Sequence, residues 1–259
     1  MKGIRVFLGM GFGIYTLTSP GLQAQQPLTA LYKFNSVTIS SGTVDPTRVP
    51  VVPGILCGSF SAVGYTGNSA AATVFSWTGN DLGGIRYDDN FDDYTGSLNE
   101  GKYFEVTLAP QPGYSLELDS ISFVMSRANS GVRNYAVRSS IDGFAANLPA
   151  CINPLNAELG VGPDNSFRWL QDTADPSQQR GSEVLLGDDF AGLSSPITFR
   201  FYGWNAESSI GRFTIDNVNF SGSVESVPEV GSSLLVALAG ALFVFKGRRR
   251  IQTGRSTDS

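Results

Sequence analysis

The sequence predicts an all-β chain folded as an antiparallel sandwich. Three observations lead there. Successive segments alternate apolar and polar residues with a period of two, as in Phe104, Val106 and Leu108 against Tyr103, Glu105 and Thr107. Clusters of Gly, Pro, Asn and Ser separate those segments. Between residues 25 and 225 the 3.6-residue repeat of an amphipathic helix is hard to find.

Taken in order, strands are expected at Leu31–Ile39, Thr73–Trp77, Lys102–Leu108 and Tyr114–Met125, the last two joined by a Pro110-Gln111-Pro112-Gly113 turn. Further strands are expected at Asn134–Ile141, Pro196–Trp204 and Arg212–Phe220, for about eight in all. Two of these share a pattern. Leu116, Leu118, Ile121 and Phe123 match Phe213, Ile215, Val218 and Phe220. In each set the apolar parity switches at a dipeptide, Asp119-Ser120 or Asp216-Asn217. A strict period of two would send half of each set to solvent, so a β-bulge is expected at both dipeptides. Each Asp is then placed to accept hydrogen bonds from nearby backbone N–H groups.

The ends of the chain differ from its middle. Lys2 and Arg5 precede an apolar stretch from Val6 to Leu17, which Ser19, Pro20 and Gly21 break. With Leu22-Gln23-Ala24 as the cleavage site, residues 1–24 read as a signal peptide passed through the Sec translocon. At the other end, Val227-Pro228-Glu229 is followed by 16 residues, Val230–Phe245, that are apolar apart from Gly and Ser. As a helix they would span about 24 Å, a little short of a hydrocarbon core. Lys246, Arg248, Arg249 and Arg250 follow and would stay cytoplasmic. Residues 25–226 are therefore expected to form the sandwich domain, 227–250 a single transmembrane segment with its motif and basic cluster, and 251–259 a short cytoplasmic tail.

Composition narrows the function. Residues 25–227 hold 11 Lys plus Arg against 21 Asp plus Glu, a net charge of −10 that the whole-chain value of −5 conceals. An acidic domain repels phosphate backbones, which argues against nucleic acid as a partner. Histidine is absent, which excludes Ser-His-Asp and Cys-His catalysis and His-ligated zinc or haem. No GxSxG, SxxK or phosphate-binding glycine loop is present. A carboxylate-dependent glycosidase needs no histidine and stays as the enzymatic alternative. The main reading is a non-enzymatic protein. Cys57 and Cys151 are the two cysteines, and in an oxidising compartment the pair is expected to form a disulfide.

Val227-Pro228-Glu229, the apolar run and Arg248-Arg249-Arg250 together resemble the PEP-CTERM sorting signal of Gram-negative bacteria, with Val230 where the usual motif has a second proline. The resemblance covers about 24 residues. It implies export, transient anchoring in the inner membrane, cleavage near Pro228-Glu229 by an exosortase-type membrane protease, and a final place at the cell surface or in the extracellular matrix. Within the domain, the segments from Gly101, Asn134, Ile197 and Phe213 look like a jelly-roll domain common in bacterial surface proteins, similar in kind to carbohydrate-binding jelly rolls. That second resemblance implies polysaccharide as a partner and, at Asp216, a structural Ca²⁺. The runner-up is a purely structural matrix protein without a specific ligand.

Candidate binding groups follow. Asp88, Asp89, Asp92 and Asp93 form the densest acidic stretch, but Asp93 stands where an EF-hand needs glycine and Asn99 where it needs glutamate, so a solvated loop is expected. Trp77, Trp169, Trp204, Tyr94 and Tyr202 could offer flat faces to sugar rings or pack in the core. Arg127, Arg133 and Arg138 could meet an acidic sugar or pair with the surplus carboxylates.

Overall fold

The computed structural model describes residues 25–65, 71–83, 96–170 and 178–227. Thirteen strands occur among them: β1 Gln26–Tyr32, β2 Ile55–Cys57, β3 Ser61–Val63, β4 Phe75–Trp77, β5 Tyr103–Pro110, β6 Tyr114–Arg127, β7 Asn134–Ser139, β8 Ala150–Ile152, β9 Leu159–Val161, β10 Phe167–Trp169, β11 Gln179–Leu185, β12 Ile197–Trp204 and β13 Phe213–Ser226. The described residues contain no α-helix and two short 3-10 turns, Ser140–Asp142 and Asp188–Phe190.

The strands make two antiparallel sheets packed face to face. The first has the order β1-β13-β6-β11-β8, with β4 also on β13. The second runs β2-β5-β12-β7-β10-β9, with β3 also on β5. The chain alternates between sheets through β5, β6 and β7 and again through β11, β12 and β13. The last strand thereby enters between β1 and β6. Fourteen-residue β6 and β13 form the long pair at the middle of the first sheet.

Aromatic side chains bridge the two sheets. Phe104 of β5 stacks on Phe213 of β13 at 4.8 Å, and Phe123 of β6 meets Phe201 of β12 edge to face at 5.4 Å. Phe104, Phe201 and Phe213 are buried. Burial of each such side chain contributes roughly 1.5–3 kcal/mol.

Both expected bulges are present, and both lie in the same strand pair. Asp216 faces Val124 while Asn219 faces Ser122, so β13 carries one extra residue. Ser221 faces Ser120 while Gly222 faces Leu118, so β6 carries the other at Asp119. Leu116, Leu118, Ile121 and Phe123 are all buried, as are Phe213, Ile215, Val218 and Phe220. The parity switch therefore keeps each set on the inner face.

Other expectations are corrected. The first strand is Gln26–Tyr32 and not Leu31–Ile39: Phe34 adopts a left-handed backbone (φ 53°) and Val37 closes a turn onto its carbonyl. The three-residue strands β2, β3, β8, β9 and β10 are too short to show a period, and a register shift between Gln179 and Ser182 interrupts that of seven-residue β11. Cys57 and Cys151 are free thiols, not a disulfide. Cys57 sits on β2 beside Tyr32 of β1, whereas Cys151 sits on β8 at the opposite edge of the first sheet. Four inter-strand steps separate β1 from β8, about 19 Å, where a disulfide needs Cα atoms within roughly 7 Å. Among the described residues no helix is long and apolar enough to cross a membrane. The signal peptide, the acidic stretch Asp88–Asp93, Tyr94, and the sorting residues Pro228, Glu229, Arg248, Arg249 and Arg250 lie outside the described residues.

Candidate functional site

The best-built polar surface is the outward face of the second sheet. Strands β5, β12 and β7 alternate, so each inward Phe or Val has an outward neighbour of another kind. Cross-strand register sets Arg200 of β12 directly between Glu105 of β5 and Arg138 of β7. The same face carries Tyr103, Ala136, Tyr202 and Trp204, a small buried cluster covered by Val63 and Leu98.

Arg200 is held on several sides. Its Nε donates to Glu105 Oε2 at 3.1 Å. Its guanidinium lies 4.1 Å from the Tyr103 ring centroid and 3.8 Å from that of Phe144. Each such stack contributes roughly 0.5–2 kcal/mol. Burial alone would lower the Arg200 pKa, but the Tyr202 hydroxyl, Glu105 and the neighbouring phenols outweigh it and raise it. Burial raises the Tyr202 hydroxyl, with Arg200 and Arg138 opposing.

Phe144 reaches Arg200 because of its loop. Ser140–Asp142 forms a 3-10 turn, and Gly143 and Phe144 both take positive φ. Asp142 caps the next segment by accepting the N–H groups of Ala145 and Ala146. Arg138 ties this loop to the sheet. It donates from Nε to Asn147 Oδ1 at 2.8 Å and from Nη1 to the Phe144 carbonyl at 3.0 Å. Arg138 also pairs with exposed Glu100 at 3.4 Å.

Glu100 opens into a groove of about 580 Å³ lined by Asp81, Leu82 and residues 96–101. Lys102 braces its floor, bonding Asp81 Oδ1 at 3.1 Å and the Gly79 carbonyl at 2.7 Å. Asn99, Glu100, Ser97 and Asp81 thus present donors and acceptors beside an aromatic and guanidinium surface. That mixture suits hydroxyl-rich ligands, whose ring faces are apolar and whose edges hydrogen-bond.

The residues singled out by sequence are dispersed. Trp77, Trp169, Trp204 and Tyr202 are buried, the first two in the main core, so none offers a free face for sugar stacking. Tryptophans on these short strands face inward, which a lone Trp does not reveal. The three arginines do not converge. Arg127 on β6 is buried against Glu207 at 2.5 Å, Arg133 is fully buried, and Arg138 alone reaches the outer face. Pairing with a carboxylate, the other sequence expectation, holds for Arg127 and Arg138. Arg200, Tyr103, Glu105 and Phe144 were not anticipated as site residues. The alternation of β5 and β12 did display Tyr103, Glu105 and Arg200, but neither the strand pairing nor the Phe144 loop was readable.

Asp216 sits in its bulge on the first sheet. Its Oδ1 accepts the N–H of Asn217 at 2.7 Å, and Oδ2 accepts the side-chain amides of Asn217 at 2.9 Å and Gln178 at 3.0 Å. Burial raises its pKa, and those hydrogen bonds pull it back only in part. Both oxygens therefore face N–H donors. Among the described residues no three Cys, Asp or Glu side chains are grouped to hold a metal. These surroundings do not fit calcium.

No family model and no curated protein matches the sequence. Among solved structures the chain is similar to the K1 cleaved adhesin domain of Lys-gingipain from Porphyromonas gingivalis W83, at 15% identity over 75% of this chain and 97% of that one, with a TM-score of 0.30. It is also similar to a Stig cyclase, Fisc from Fischerella sp. TAU, solved with an indole ligand, at 11% identity over 78% of this chain and all of that one, with a TM-score of 0.31.

Proposed function

We propose that this is an exported, non-enzymatic surface protein of jelly-roll type that binds polysaccharide on the outer face of its second sheet. The observation that carries this is the Arg200–Tyr103–Phe144 stack continuing through Arg138 and Glu100 into a polar groove of about 580 Å³. The strand order supports the fold name. With β2, β3, β4, β8 and β9 set aside, β1-β13-β6-β11 and β5-β12-β7-β10 are two four-stranded sheets interleaved as two Greek keys. Export and cell-surface sorting by an exosortase-type protease rest on the two terminal segments of the sequence.

The test uses mature protein purified from its native host. Its mass should show that Arg248–Arg250 have been removed; full-length protein as the sole species would overturn the sorting reading. On an array of bacterial polysaccharides it should bind, and Asn99→Ala with Glu100→Ala should weaken binding about tenfold, near 1.4 kcal/mol. Absence of binding to every polysaccharide would leave a structural matrix protein. Binding that ignores both substitutions would move the site elsewhere.

A further inference from the structure

The domain is entered and left at one end. Gln26 pairs with Val224, so the start of β1 lies beside the finish of β13. Val227, the last described residue of that stretch, donates its N–H to the Gly113 carbonyl at 2.8 Å. Two turns distant in sequence close this same end. The Gln111 N–H bonds the Gly54 carbonyl at 2.8 Å, and the Tyr114 ring lies over Gly54. An added Cβ at Gly54 would come within 2.4 Å of Tyr114 Cδ1, and its φ is +78°, so this position requires glycine.

Residues 49–57 and 106–116 at this end are uncharged, whereas the β11–β12 connection, which pairs Leu193 with Leu116 there, carries exposed Asp188 and Asp189. The bridge between Val52 and Ile55 turns those two side chains inward and places Val51 beside Leu56 on the outside. Val51 is 77% exposed, Leu56 59%, Val227 50% and Tyr114 37%. No charged residue occurs between Arg48 and Asp81, or between Glu105 and Glu117. The rest of the domain is strongly acidic, so this tip stands apart from its surroundings, with Glu117 and Glu225 at its rim.

We propose that this tip is a membrane-contact surface. Val51 and Leu56 enter the headgroup–acyl boundary of a lipid bilayer, and Tyr114 lies at that boundary. The occupant follows from chain length. The apolar run Val230–Phe245 begins three residues after Val227. Three extended residues reach at most about 10 Å, so a bilayer that takes up the run must lie within that distance of the tip. Exposed apolar side chains and a tyrosine suit that depth, whereas the acidic flanks do not. The inference rests on the reading that Val230–Phe245 spans the membrane.

The experiment uses the full-length chain in phosphatidylcholine vesicles, with Cys57→Ser and Cys151→Ser to clear the native thiols. A polarity-sensitive fluorophore is attached at Val51→Cys or, for comparison, at Leu155→Cys, which is 94% exposed on the β8–β9 connection at the far edge of the sheets. The chain should float with the vesicles, and nitroxide-bearing lipid should quench the label at 51 several-fold more than at 155. Flotation with equal quenching at the two positions overturns the tip contact and leaves the anchor reading standing. Failure to float overturns the anchor reading and the tip contact with it.

Discussion

The bulges at Asp119 and at Asp216 arise from the same sequence pattern in the same strand pair, yet their surroundings differ. At Asp216 the carboxylate is buried and fully occupied by Asn217 and Gln178. Asn217 takes a left-handed backbone (φ 47°), which asparagine tolerates better than branched residues. At Asp119 the side chain is exposed and borders a shallow groove with Glu117, Gln25 and Ser223, and its carbonyl accepts the N–H of Leu186. One extra residue corrects the parity in both places. Only one of them needs its aspartate to do so. The apolar spacing dictates the bulge, and the local burial dictates what the bulged residue must be.

The largest effect should come from removing the extra residue itself. Deleting Asn217 would turn Phe213 and Ile215 outward, and deleting Asp119 would do the same to Leu116 and Leu118. Two large side chains exposed cost roughly 3–6 kcal/mol, comparable with the whole stability of many domains. Both deletions should abolish cooperative unfolding by circular dichroism. A deletion variant with a melting temperature near that of the parent would show that these bulges do not set the register.

Point substitutions should separate the two sites. Asp216→Ala removes a buried carboxylate that accepts the Asn217 N–H and the Gln178 amide, at a cost of about 1–3 kcal/mol. Asp119→Ala keeps the carbonyl bond to Leu186 and should stay within about 0.5 kcal/mol of the parent. Urea unfolding of both variants checks this, and equal losses would erase the distinction.

This contrast also marks where sequence reading stops. The parity switches at Asp119-Ser120 and Asp216-Asn217 were legible because four apolar residues mark each strand's inner face. That β6 and β13 pair with each other was not, since the partners are about 100 residues apart and nothing local encodes their meeting. The disulfide expectation failed for the same reason: two cysteines in an oxidising compartment say nothing of sheet order. The Arg200 stack needed three strands and the Phe144 loop to be brought together. Its outward residues were visible one strand at a time, as Tyr103, Glu105 and Thr107 on β5, but the composite surface was not.

The smallest effect concerns pH, and its sign separates a bulge cap from a cation ligand. Burial raises the Asp216 pKa above its ordinary value of 3.8. The native protein therefore holds this proton more tightly than the unfolded chain does. Between 3.8 and the higher native value the folded state binds more protons, so the stability this group contributes is full at low pH and declines as pH rises through the native pKa. Asp216→Asn keeps an acceptor for the Asn217 N–H but never charges. Asp45, also raised by burial, titrates in both proteins and cancels in the comparison. The stability of the parent minus that of Asp216→Asn should thus fall as pH is raised from 3.8 through the native pKa, then level off. A calcium ligand would behave in the opposite way, because a bound cation favours the carboxylate and lowers its pKa. A difference that grows with pH in the presence of calcium would return Asp216 to the role of metal ligand.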